Sequence, residues 1–187
     1  MTDLNSKLRE LVAANRILAH EGVVDAFGHV SIRHPGNPQH YFLSRSRAPE
    51  LVTLEDMMEF TTEGDPLDQR KRPIYAERPI HGALYEARSD VQAVVHNHSP
   101  AVIPFTVTKT PLRPILHLAA IIGVPVPVWD IRDRFGDTNL LVTTMEQGRD
   151  LAGVVGDGRV ALMRGHGCVV AGGSLKEAVM ASIYLQV

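Results

Sequence analysis

Two histidines separated by one residue stand at the end of an apolar run, Val94-Val95-His96-Asn97-His98. Side chains two apart on an extended strand point to one face, so both imidazoles can reach a single metal ion from a rigid mount. The same spacing equally serves two histidines that only hydrogen-bond at a strand end. A third, His166, sits between Gly165 and Gly167 after another apolar stretch. Glycines there permit a tight turn and let a ligand approach the backbone, although a plain turn histidine fits as well. Glu77 precedes a helix opened by Pro79 and lies upstream of the histidine pair, where helix and strand can fold back on each other. A partly desolvated carboxyl beside a cation suits proton transfer, because burial raises its pKa while the cation lowers it. Taken alone, Glu77 is a solvated carboxylate at a helix start. Cys168 is the only cysteine, which leaves no intrachain disulfide, no CxxC motif and no cysteine-based zinc ribbon, so a metal here has to be held by His, Asp or Glu.

The elements that must position these groups are readable from periodicity. Leu4, Leu8, Leu11, Val12, Asn15, Leu18 and Ala19 follow helical spacing up to Gly22, which predicts a helix over residues 4–20. Strands are expected at 29–33 and 41–43 across a His34-Pro35-Gly36 turn, then at 57–60, which makes the first half a set of hairpins at a sheet edge. Pro79 suits the first turn of a helix over 78–87, and Val91 to Val95 reads as a buried strand ending at His96. Further expectations are short helices at 99–105 and 115–122, a strand at 126–129, a helix over 138–154 and strands at 159–163 and 168–170. Ser174 with Glu177 forms a capping box that opens a last helix. No repeat or linker divides the chain, so residues 1–187 are expected to be one domain, and its final helix without a stop signal suggests that it is cut short at Val187.

Composition narrows the classes. The chain has 187 residues, 44% hydrophobic, enough for one domain with a substantial core. Its net charge of −2 gives no reason to expect nucleic acid, and Arg70-Lys71-Arg72 is only a short basic patch. No apolar run reaches about 18 residues, and the start MTDLNSKLRE lacks a signal-peptide core, so a cytoplasmic protein without a membrane partner is expected.

Taken in order, Glu77, Pro79-x-His81, Arg88-Ser89-Asp90-Val91-Gln92-Ala93-Val94-Val95-His96-Asn97-His98-Ser99 and Arg164-Gly165-His166-Gly167 resemble the class II aldolase/adducin family. Phe27-Gly28-His29-Val30-Ser31-Ile32-Arg33 stands where that family usually reads G-N-x-S-x-R. The resemblance runs from about residue 8 to residue 187. It implies a three-layer α/β/α sandwich around a mainly antiparallel sheet, a homotetramer with active sites between subunits, and one divalent metal per subunit, zinc or manganese foremost. By motif match the ligands are His96, His98 and His166, and Glu77 is the acid/base carboxyl.

Departures from the sugar-phosphate members point to a subgroup. Those members carry hydroxyl-rich phosphate loops, whereas this chain has Leu43-Ser44-Arg45-Ser46-Arg47-Ala48-Pro49-Glu50 and Tyr75-Ala76 at the corresponding places, and His29 replaces the usual Asn. Arg45 and Arg47 offer planar forks suited to a carboxylate. The set is similar to the branch of the family that decarboxylates hydroxylated aromatic or pyridine dicarboxylates. In such a lyase, loss of carbon dioxide leaves two electrons on a ring carbon, and Glu77 is the candidate proton donor. Arg45 or Arg47 would grip a second carboxylate, with Ser44, His29, His117 and Tyr75 as further substrate contacts. Alternatives are an aldolase or epimerase acting on a small hydroxy-carbonyl compound or sugar phosphate, and a non-catalytic adducin-like interaction module. His81 is expected to pack or cap locally, Trp129 to lie in the core, and His20, His34 and His40 to sit on the surface or in turns.

Overall fold

The computed structural model describes residues 4–187. Residues 1–3, the start of the stretch read above for a leader, lie outside the described part. A seven-stranded sheet forms the middle layer, built from β1 (His29–Arg33), β2 (His40–Ser44), β3 (Met57–Thr61), β4 (Ala93–Asn97), β5 (Val128–Trp129), β6 (Val160–Met163) and β7 (Gly167–Gly172). Its order is β3-β2-β1-β4-β7-β6-β5, and every pairing is antiparallel except β5 with β6. The helices are α1 (Leu4–His20), α2 (Arg78–Ala87), α3 (Ile103–Val107), α4 (Arg132–Phe135), α5 (Met145–Val155) and α6 (Leu175–Leu185).

Alternation along the strands divides the core in two. Val30, Ile32, Val95 and Val170 pack with Leu11 and Leu18 of α1 and Ala178 and Ala181 of α6. Tyr41, Leu43, Val94 and Val169 pack on the other face with Ile80 and Leu84 of α2 and Leu151 of α5. Because β4 is central and covered on both faces, it has to be apolar throughout, and Val94 and Val95 are completely buried. Such burial contributes roughly 1.5–3 kcal/mol per large aliphatic side chain relative to exposure, which makes β4 a stiff support. This is the α/β/α sandwich around a mainly antiparallel sheet expected from the sequence.

One expected element is corrected. The helix read over 138–154 begins only at Met145. Thr144 caps it, its hydroxyl accepting from the Gln147 amide while Gln147 Oε1 accepts from the Thr143 and Thr144 amides. Residues 138–144 stay irregular, with Leu140 at a φ of 66°. The Thr144-x-x-Gln147 pattern is a capping box in the sequence itself, and it outweighs the apolar periodicity upstream. Smaller shifts put the short helices at Ile103–Val107 and, as a 3-10 helix, at His117–Ile122. Among the described residues, no helix is long and apolar enough to cross a membrane.

Candidate active site

His96 shares the parity of Val94 and therefore points to the α2 face of the sheet, where Glu77 is the residue immediately before α2. His98 follows the end of β4, and His166 occupies the turn between β6 and β7. Gly165 takes a φ of 66° in that turn, a conformation open to glycine at little cost. Gly167 is required for a different reason: a Cβ there would lie 2.2 Å from the Asn97 carbonyl oxygen and 3.1 Å from His98 Cδ2.

The four side chains converge. Ligand-type atoms of Glu77, His96, His98 and His166 all lie within 4.8 Å of one another. His98 Nε2 stands 3.0 Å from His96 Nε2 and 3.2 Å from His166 Nε2, and Glu77 Oε2 is 3.5 Å from the Nε2 atoms of His96 and His166. The outer nitrogens explain why. His96 Nδ1 donates to the Cys168 carbonyl at 3.0 Å, His166 Nδ1 to the Leu140 carbonyl at 2.9 Å, and His98 Nδ1 to both carboxylate oxygens of Asp25 at 3.1 Å. A carbonyl or carboxylate oxygen only accepts, so each Nδ1 bears a ring proton, and each Nε2 left without one aims a lone pair inward. Three lone pairs and a carboxylate oxygen crowded together are mutually repulsive without a cation between them, and this donor set, with its outer hydrogen bonds, could hold a metal ion.

Glu77 is held at both ends. Oε1 accepts from the Val142 amide at 2.9 Å while Oε2 faces the histidines. Burial pushes its carboxyl up, but the hydrogen bonds and charge that His166 and His96 supply when they take up a second proton outweigh burial and hold it well below the usual carboxylate range. Burial also pushes Asp25 up, and the Phe27 and Gly28 amides together with His98 bring it below its ordinary value. Burial and neighbouring His96 push His98 down despite Asp25.

A cavity of about 570 Å³ opens beside the cluster, with Glu77, His98, His166, His29 and Ser46 on its polar side and Phe27, Ile74, Tyr75 and Leu141 supplying apolar wall. His29 and Tyr75 thus lie where the sequence reading placed substrate contacts, their ring centroids 4.5 Å apart. Arg45 and Arg47 turn elsewhere: Arg45 Nε donates to Asp56 Oδ1 at 2.6 Å and Arg47 donates to both Asp56 oxygens at 3.2 Å. Neither lines the cavity, whereas Ser46 between them does. Ser44 is fully buried on β2, and His117 is exposed at the start of the 3-10 helix, outside the cavity lining. His81 is not a local cap but a buried side chain touching His29 and Ser31, while Trp129 lies in the core with its indole N–H on Asp150.

Four partners escaped the sequence reading: Asp25 and the backbone groups of Cys168, Leu140 and Val142. For the last two, the capping box at Thr144 was the available signal, since it forces the preceding residues out of the helix and toward the site. No pattern around Asp25 announces a partner so far along the chain.

The family described as Class II Aldolase and Adducin N-terminal domain matches residues 9–187. Decarboxylase tropJ of Talaromyces stipitatus is 34% identical over 95% of this chain and 71% of its own length. A 3,4-dihydroxyphthalate decarboxylase of Arthrobacter keyseri is 31% identical over 94% of this chain and 73% of its own. Among solved structures, an aldolase II superfamily protein from Pseudomonas syringae superposes with a TM-score of 0.79 at 26% identity, covering 94% of this chain and 69% of that one.

Proposed function

The chain belongs to the class II aldolase and adducin family, and from that premise we propose that it is a metal-dependent carboxy-lyase acting on a hydroxylated aromatic or pyridine dicarboxylate. The observation that carries this reading is the convergence of Glu77, His96, His98 and His166 beside a cavity that Glu77, His98 and His166 line, with Phe27, Ile74, Tyr75 and Leu141 as its apolar residues. Apolar lining that includes the rings of Phe27 and Tyr75 suits an aromatic substrate, and decarboxylase-named relatives span nearly the whole chain. His96, His98 and His166 are the proposed ligands, and zinc or manganese suits three imidazoles and a carboxylate. When bound, the cation supplies a Lewis acid that draws electron density from oxygens of the substrate.

The remaining chemistry falls to the side chains. Glu77, kept ionised, takes the proton of the substrate's ring hydroxyl as the ring enters. Electrons of the ionised ring oxygen push into the ring, and Glu77 returns its proton to the carbon that bears the departing carboxylate. The bond from that carbon to the carboxylate then breaks, carbon dioxide leaves, and the electron pair restores the aromatic ring, so hydrogen replaces the carboxylate, the ring oxygen leaves as its anion and Glu77 is ionised again. The Val142 amide holds the carboxyl in place through both transfers. His29, Tyr75 and Ser46 line the space for the retained carboxylate and ring oxygens. Arg45 and Arg47 serve through Asp56, bracing the loop that carries Ser46. We extend the reading to a homo-oligomer, in which exposed Ile115 and Val124 are covered by a second copy.

The test is metal analysis of purified protein followed by a panel of hydroxylated aromatic dicarboxylates, with carbon dioxide release and ultraviolet change as readouts. Turnover that Glu77→Gln abolishes while metal stays bound supports the proposal. Full activity in that variant, or cleavage of hydroxy-carbonyl compounds in place of decarboxylation, overturns it.

A further inference from the structure

Beneath His29 runs a second polar array that the chemistry above leaves unused. His29 and Ser31 lie two apart on β1, so they share a face, and His81 and Tyr85 lie one turn apart on α2 and meet them. His29 Nδ1 is 2.6 Å from His81 Nε2, His81 Nδ1 is 2.6 Å from Ser31 Oγ, and Ser31 Oγ is 2.7 Å from the Tyr85 hydroxyl. All four side chains are buried, none more than 2% exposed. His29 Nδ1 and His81 Nε2 share one hydrogen bond, so one of the two must offer a lone pair, and among the described residues no carboxylate is hydrogen-bonded to either ring.

The direction of the protons follows from counting donors. Ser31 Oγ is the acceptor available to the Tyr85 O–H, so Tyr85 donates to it; the opposite sense would strand a buried phenolic O–H, the costlier error. The Ser31 proton then goes to its other partner, His81 Nδ1. His81 therefore carries its proton on Nε2 and donates to His29 Nδ1, which leaves the His29 proton on Nε2. That nitrogen has no protein partner among the described residues, and His29 lines the cavity.

We propose that Tyr85, Ser31 and His81 form a one-way hydrogen-bond chain that holds His29 in its Nε2–H tautomer, so that His29 presents a fixed N–H donor to an anionic oxygen of the ligand. Tyr85, Ser31 and His81 are positioning residues, acting through His29 rather than on the ligand. The donor half of the inference rests on the carboxylate-bearing substrate proposed above, while the tautomer half stands without it.

The test uses the full chain, labelled with 15N-histidine and supplied with zinc, with His29→Asn assigning the ring. Two-bond proton-nitrogen spectra should show His29 Nδ1 unprotonated and Nε2 protonated. Ser31→Ala and Tyr85→Phe should give a mixture of tautomers, and Ser31→Thr, which keeps the hydroxyl, should restore the single form. With 3,4-dihydroxybenzoate as probe, Ser31→Ala should weaken binding by up to about tenfold with zinc content unchanged. A wild-type His29 protonated on Nδ1, or a tautomer unmoved by both Ser31→Ala and Tyr85→Phe, overturns the chain. An expected tautomer with probe affinity unchanged in Ser31→Ala overturns the donor role. Neither readout requires turnover, so failure of the lyase proposal registers separately.

Discussion

Five buried or half-buried histidines gather under one face of the sheet, yet they form two regions with opposite proton logic. In the first, His96, His98 and His166 give their Nδ1 protons outward to carbonyls and a carboxylate, and their lone pairs collide at the centre. In the second, His29 and His81 follow one another from the Ser31 and Tyr85 hydroxyls, and every ring nitrogen but one has a partner among the described residues. His29 and His96 even face each other across β1 and β4, their ring centroids 5.1 Å apart. The same side chain can thus offer a lone pair to a cation or a proton to a ligand, according to what its far nitrogen touches. An acceptor-only partner turns the lone pair inward, while a partner that both donates and accepts passes a proton along.

The sharpest way to break this contrast is to remove one ring from each region. His96→Ala should strip the metal and lower activity roughly a thousandfold, the consequence of losing several kcal/mol of charge stabilisation. His81→Ala should leave metal content at the wild-type level, as measured by elemental analysis. Equal metal loss in both variants would erase the distinction. Next in size, Asp25→Asn removes the carboxylate that orients His98 and should weaken metal affinity about 10–100-fold, read by competition with a chelator. Gly167→Ala drives a Cβ against the Asn97 carbonyl beside His98 and should cost about 1–3 kcal/mol of stability by overpacking, visible as a lowered denaturant midpoint.

The smallest effect belongs to a third cluster that lies outside both regions. Burial pushes the Asp56 carboxyl up, but Arg45, the Thr53 amide and hydroxyl, and Arg47 together bring it down to about 2. A folded pKa below the unfolded value near 3.9 adds stability that is complete above the unfolded pKa and disappears as pH falls from about 4 through about 2. Because both arginines are about a third exposed, the contribution is on the order of 1–2 kcal/mol after screening. Unfolding curves of Asp56→Asn and of the parent chain should converge near pH 2 and separate above pH 4. In the same spirit Arg45→Ala should lower the melting temperature by a few degrees while the Michaelis constant stays near that of the parent.

Much of the architecture was legible because it rests on periodicity. The alternation in β1 and β2, the helical spacing of α1 and the doubly apolar β4 each report burial directly. The helix expected over 138–154 was drawn too long because residues 138–144 contain no Gly or Pro to stop it, while Leu140 and Val142 are held irregular by His166 and Glu77. His81 could not be distinguished from a local cap by sequence, since its partners come from β1. Arg45 and Arg47 read as free forks because nothing in the neighbouring letters showed that Asp56 would fold between them.

By itself, the amino-acid sequence determined which side chains are present as donors and on which face of which element each one stands, because strand and helix periods are local and every residue obeys them. Only the tertiary structure decided the proton on each ring. His166 meets a carbonyl 26 positions away, His98 a carboxylate 73 away and His29 an imidazole 52 away. A main-chain carbonyl accepts equally well whatever side chain it carries, so no residue code marks it as the partner that turns a histidine's lone pair inward.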